Sequence, residues 1–139
     1  MSTQLGFHVE LPLPFDAAVA RVRDALKEEG FGVLSEIDLR AAFREKLGHE
    51  FRPYVILGAC NPPLAFQAIT SDPSVGLLLP CNVTAEWISD SRTGVRLTDP
   101  EVLLSSVALE GAPELTAVAR DARERMLRVA ASLAKGEAR

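Results

Sequence analysis

Tyr54-Val55-Ile56-Leu57-Gly58-Ala59-Cys60, running straight into Asn61-Pro62-Pro63, decides how this chain folds. The first seven residues are rich in large and β-branched apolar side chains, which predicts a strand near the centre of a sheet. Asn61 then offers a side-chain oxygen to a first helical turn, and Pro62 fits the first helical position, where a missing N–H costs nothing. Leu64, Ala65, Ala68 and Ile69 give that helix an inner face as far as Ser71, and Asp72-Pro73 breaks it. A second segment, Gly76-Leu77-Leu78-Leu79-Pro80-Cys81-Asn82-Val83, repeats the passage from apolar residues to proline, cysteine and asparagine. Each Cys-Asn pair marks a strand end.

The flanking sequence supplies the remaining elements. Leu5 to Leu11 alternates apolar with polar or small residues, the period of a strand with one covered face, and Pro12 and Pro14 end it. Asp16 is the expected cap of a helix whose Ala18, Val19, Val22, Ala25 and Leu26 form a stripe, closed by Gly30. Phe31 to Ile37 reads as a second strand. Asp38 starts a shorter helix through Leu39, Ala42, Phe43 and Leu47 that Gly48 stops. Val75 to Leu79 reads equally as a strand or an extended lead-in. Val83 to Ser89 and Val95 to Thr98 form a hairpin across the loop Asp90 to Gly94. Asp99-Pro100 begins a short helical turn through Leu104. Gly111 and Pro113 precede the longest helix, expected over 112–135, in which Leu115, Val118, Ala119, Ala122, Met126, Val129, Ala130 and Leu133 recur at helical spacing. Two amphipathic helices must bury their stripes, and one face of an antiparallel sheet is the simplest partner. The expected fold is therefore α+β in two layers, a single domain over residues 1–139.

Composition limits the function. At 139 residues one complete core is possible without a disulfide scaffold. Fifteen Lys and Arg against 19 Asp and Glu give a net charge of −4, which argues against a nucleic-acid partner held by a broad basic surface. The first residues do not read as a leader peptide, and no apolar run approaches the roughly 18 residues of a membrane span. A cytoplasmic setting follows as the default, and there two cysteines are expected as thiols.

If the strands after the first helix form a meander, the strand ending at Cys60 and the one near Cys81 are antiparallel neighbours. The expected register sets Cys60 opposite Cys81, Tyr54 opposite Trp87 and Ile56 opposite Ala85, leaving Thr84 and Glu86 on the other face. Opposed cysteines can bridge, hold a metal together, or remain two buried thiols.

Lys46-Leu47-Gly48, Phe51 to Pro62 and Gly76 to Val83 together resemble the prokaryotic family catalogued as domain of unknown function number three hundred and two. The resemblance runs from Phe7 to about Leu104. It implies a β-α-β4-α arrangement similar to TATA-binding-protein-like folds, a curved sheet of about five strands with two long helices on one face, and pairing as a homodimer. The fold name carries no implication of DNA binding. The family has no agreed activity, so only positions matching its pattern carry over: Asp38, Lys46, Tyr54, Cys60, Asn61, Pro62, Pro80 and Cys81.

Three functions are consistent with these residues. The first is a homodimeric binding module for a small molecule, anion or metal, its site at Cys60, Asn61, Pro62, Pro80 and Cys81, with Lys46 or Asp38 at the border. The second is a thiol enzyme or redox protein using Cys60 or Cys81, which needs a depressed thiol pKa; Cys60 lies beside a helix start, which favours thiolate. The third is an interaction protein with inert, buried cysteines that pairs through its open sheet face or the Trp87 region. The cofactor is unknown. Neither His8 nor His49 stands at metal-ligand spacing from a cysteine, so no metal site is expected, and Cys60, Cys81 and His49 are the one set that could meet in space. Asn61 and Asp38 are helix caps first. No Ser-His-Asp order, Gly-rich phosphate loop or His-Glu-x-x-His motif is present. Arg120, Arg123, Arg125 and Arg128 interleave with Asp121 and Glu124 as a solvated face.

Overall fold

Alternation shapes the first strand as its sequence requires: Phe7, Val9 and Leu11 are buried, while His8 and Glu10 are only half covered. The computed structural model describes residues 4–108 and 113–136. Its elements are β1 (Gly6–Leu11), α1 (Phe15–Glu28), β2 (Gly32–Asp38), α2 (Leu39–Leu47), β3 (Tyr54–Cys60), α3 (Pro62–Ser71), a 3-10 turn (Pro73–Leu77), β4 (Cys81–Ser89), β5 (Arg92–Thr98), α4 (Pro100–Ala108) and α5 (Pro113–Gly136). The five strands make one sheet in the order β1-β5-β4-β3-β2, antiparallel at every junction. β3 thus has a strand on each side, as its composition predicts.

Punctuation by Gly, Asn, Asp and Pro accounts for most element ends. Asp38 caps α2 by accepting a hydrogen bond from Ala41 N at 2.9 Å, and Gly48 closes it in the left-handed region at φ 70°. Gly30 takes φ 84° just after α1. Asp16 is not the cap of α1. The helix begins at Phe15 with Pro14 at the cap position and no side-chain cap, and Asp16 lies in the first turn, where its charge still favours the helix N-terminus. Within the ambiguous stretch 75–79 the chain is helical to Leu77: Asp72 accepts from Ser74 N at 2.9 Å and winds Pro73–Leu77 into a 3-10 turn that buries Val75. β4 begins at Cys81 and β5 at Arg92, so Asp90-Ser91 alone makes the hairpin turn. Gly111 lies outside the described residues.

The β3–β4 register differs from the expected one by a single residue. Ala59 pairs with Cys81, Leu57 with Val83, Val55 with Ala85 and Tyr54 with Glu86. A one-residue slip turns every side chain of a strand to the opposite face. The observed register sends Val55, Leu57 and Ala59 together with Cys81, Val83 and Ala85 into the core, all buried. The expected Tyr54–Trp87 pair does not form. Tyr54 instead meets Phe51 at 6.4 Å between ring centres, and Phe51 meets Phe43 edge-on at 5.2 Å. Cys60 stands opposite Gly32 on β2.

α1 and α5 cover one face of the sheet, but α5 serves two cores. Its C-terminal half buries Met126, Val129, Ala130 and Leu133 with α1 and the strands. Its N-terminal half buries Leu115, Val118, Ala119 and Ala122 with Leu64 and Ala68 of α3, Val75 and Leu104 of α4. α2 buries none of its side chains. No helix among the described residues is long and apolar enough to cross a membrane.

Candidate functional site

The two cores meet where β3 runs into α3 and the chain returns into β4. A cavity of about 40 Å³ lies there, lined by Cys60, Asn61, Leu79, Pro80 and Cys81 from the two cysteine segments, with Phe31, Leu64, Leu104, Val118 and Ala122 among its other walls. Both cysteines are free; Cys60 is half-buried and Cys81 is buried. The expectation that the two Cys-Asn segments share one rim is therefore met, although by a register in which Ala59, not Cys60, faces Cys81.

Asn61 holds this corner together. Its Oδ1 accepts a hydrogen bond from Leu64 N at 3.3 Å and caps α3, while its Nδ2 donates to Glu29 O at 3.4 Å. The same carbonyl, at the end of α1, accepts from Arg125 Nη1 of α5 at 3.1 Å. One buried amide thus ties α1, α3 and, through a shared acceptor, α5. A Cβ at Gly30 would come within 2.9 Å of Asn61 Nδ2, so Gly30 supplies both the positive φ and the room for this contact. Gly58 likewise leaves room nearby, because a Cβ there would clash with Ser35 Oγ and come within 2.8 Å of Pro80 Cγ.

Neither thiol is activated. Burial pushes the Cys60 thiol up from its usual range. Burial also raises that of Cys81, with the neighbouring Cys60 adding to it, up to about 11. The start of α3 gives Cys60 no thiolate character that overcomes desolvation, since its first free N–H groups are turned to Asn61.

The remaining candidates stand elsewhere. Pro62 occupies the first position of α3 without lining the cavity. Asp38 pairs with Val55, at the opposite end of the β2–β3 ladder from Cys60, and lines a separate depression with Arg40, Tyr54 and Trp87. Lys46 is exposed in the last turn of α2, and His49 is exposed just beyond it. Neither Lys46 nor Asp38 borders the cavity, because α2 follows the far end of β2. Among the described residues no three or more His, Cys, Asp or Glu side chains gather to hold a metal ion. The walls from α4 and α5 carry no sequence signal of a site; Leu104, Val118 and Ala122 read only as helix stripe.

The family model described as Domain of unknown function DUF302 matches residues 7–133. The crystal structure of an uncharacterized conserved DUF302 protein from Bacillus stearothermophilus is similar to this one at 26% sequence identity and a TM-score of 0.81, covering 94% of this chain and 99% of that one. No curated protein matches the chain.

Asn61→Ala removes the cap of α3 and the tie to Glu29 O, and is expected to cost about 2 kcal/mol in urea unfolding. Asn61→Asp, which retains the capping oxygen, should recover part of that loss. The Cys81 thiol holds its proton more tightly folded than unfolded, so its contribution to stability is intact below pH about 9 and falls away as pH rises through about 11, a loss of up to about 3 kcal/mol. Melting curves between pH 8 and 11.5 should show this decline, and Cys81→Ala, less stable at pH 8, should show a shallower one.

Proposed function

The chain belongs to the family described as Domain of unknown function DUF302, and we propose that it is a binding module that takes one small, neutral, weakly polar molecule where Cys60, Asn61, Pro80 and Cys81 meet. The observation that carries this reading is the cavity of about 40 Å³ that all four residues line. That space admits a molecule of a few heavy atoms, since a single water needs only about 10–15 Å³ by the same measure. Its other walls are hydrocarbon, and no cationic side chain lines it to hold an anion. A metal would need thiolates, and ionising Cys81 at pH 7 costs about 5 kcal/mol before any bond forms. The same cost weighs against a working thiol in catalysis or redox chemistry.

Pairing as a homodimer belongs to this reading. The support is the apolar surface beside the cavity, where Phe66 and Ile69 of α3 and Leu77 of the adjoining turn are exposed. The cysteines, both free, also support a cytoplasmic setting, where thiols stay reduced. The helices on one side of the sheet support a TATA-binding-protein-like description, as a statement of fold and not of contact with nucleic acid.

Amide NMR spectra recorded with dimethyl sulfide, and separately under xenon, test the site. The expected result is saturable shifts at Leu64, Cys81 and Leu104, abolished in a folded Ala122→Leu variant that fills the cavity. Shifts absent with both probes, or unchanged in that variant, would refute the reading. The same samples should sediment as a dimer.

A further inference from the structure

The side of the sheet away from α1 and α5 carries a second concavity, separate from the cysteine cavity. The strand registers put His8 of β1, Arg96 and Thr98 of β5, Asn82, Thr84 and Glu86 of β4, and Tyr54 of β3 on this one face. A depression of about 530 Å³ crosses these strands, lined by Tyr54, Asn82, Thr84, Arg96 and Thr98. That volume is within the range of about 300–1,000 Å³ usual for small-molecule sites.

Its charge is one-sided. Glu86 accepts hydrogen bonds from Arg96 Nη1 at 2.8 Å and Arg52 Nε at 2.6 Å, so one carboxylate is shared by two guanidinium groups and one positive charge is left over. Partial burial opposes ionisation of Glu86, but the hydrogen bonds from Arg96 and Arg52 and their charges outweigh it and hold the carboxyl below its usual range. Arg96 is thereby fixed in place while its side chain stays 50% exposed, with donors of its fork to spare. No carboxylate lines the depression itself.

Hydrogen bonding in this row is also incomplete. Among the described residues, His8 Nε2 and Thr84 Oγ1 are the buried side-chain polar atoms without a partner. Both residues are direct cross-strand neighbours of Arg96, one on each side. Of the two, Thr84 lines the depression and His8 does not, so the unmet Thr84 hydroxyl beside a half-exposed guanidinium marks the place where a ligand supplies what the protein does not.

We propose that this depression binds a small organic oxyanion, a carboxylate or a phosphate monoester, with Arg96 taking the charged oxygens, the Thr84 hydroxyl turning to bond one of them, and Tyr54 flanking the organic part. The site goes beyond the cysteine cavity and does not depend on it.

Amide NMR titrations of the full chain with benzoate, phenyl phosphate and benzylamine test the proposal. At least one of the two anions should shift Thr84, Arg96 and Thr98 saturably, and which one does so names the oxyanion; benzylamine should not. Arg96→Gln should weaken binding at least about tenfold, Arg96→Lys less, and Lys27→Gln, exposed on α1, not at all. No saturable shift with either anion, equal binding of benzylamine, or unchanged affinity in Arg96→Gln would overturn it. Should Arg96→Gln fail to fold, Thr84→Val decides, since it removes the unmet hydroxyl at nearly constant shape. Weakening by about fivefold supports the site, and unchanged affinity overturns it.

Discussion

The pairing of Ala59 with Cys81 is the constraint on which the rest of this structure depends. It sets the parity of β3 against β4, and through the β4–β5 and β5–β1 ladders that parity reaches the sheet edge. Val55, Leu57, Val83, Ala85, Val95, Leu97, Phe7 and Val9 consequently share the helix-covered face and are buried together. Tyr54, Thr84, Glu86, Arg96 and His8 are left on the other. One register therefore makes both the apolar cavity, reached by Cys81 on the covered face, and the charged depression on the open one. Moving β4 by one residue would bury Thr84 and Glu86 under the helices and expose Val83 and Ala85, a change that hydrophobic burial opposes at about 25 cal/mol for each Å² of apolar surface.

Around that sheet, the corner at Asn61 converts a local turn into a tertiary joint. A helix cap alone would satisfy one N–H of α3. Here the same amide reaches the last carbonyl of α1, and Arg125 of α5 reaches that carbonyl from the other side. Arg128 of α5 adds an ion pair to the side chain of Glu29 at 2.8 Å. The cavity lies at this junction because three helices and two strand ends converge on a glycine, an asparagine and two prolines. Such residues turn the chain well and fill space poorly. The thiols of the residues that line the resulting gap stay neutral because the surroundings are hydrocarbon, which suits the weakly polar ligand proposed above better than an ionic one.

Much of this was legible in the residues themselves. The central place of β3 follows from Tyr54 to Cys60, the caps at Asp38 and Asn61 follow from residue type before a helical stripe, and the meeting of the two Cys-Asn segments follows from strand connectivity. The register was not, because Trp87 opposite Tyr54 looks as favourable as the pairing that occurs; the choice is made by Ala85 and Val83 needing the covered face, which only the packed helices reveal. The matched family pattern groups Asp38 and Lys46 with the cysteines, but α2 follows the end of β2 that lies away from Cys60. The division of α5 between two cores was equally hidden, since Leu115 to Leu133 forms one unbroken stripe. The Arg52–Glu86–Arg96 cluster joins residues separated by 34 and 10 positions, and no local spacing announces it.

The claim that bears most weight is that Cys60 and Cys81 line one apolar space as neutral thiols. The rate of alkylation of each cysteine by iodoacetamide, followed against pH by peptide mass, tests it most directly. Cys81 should react slowly with an apparent pKa near 11, and half-buried Cys60 faster but still with a pKa above its ordinary value. A thiolate titrating below about 7 at either position would contradict the account and point instead to a working thiol.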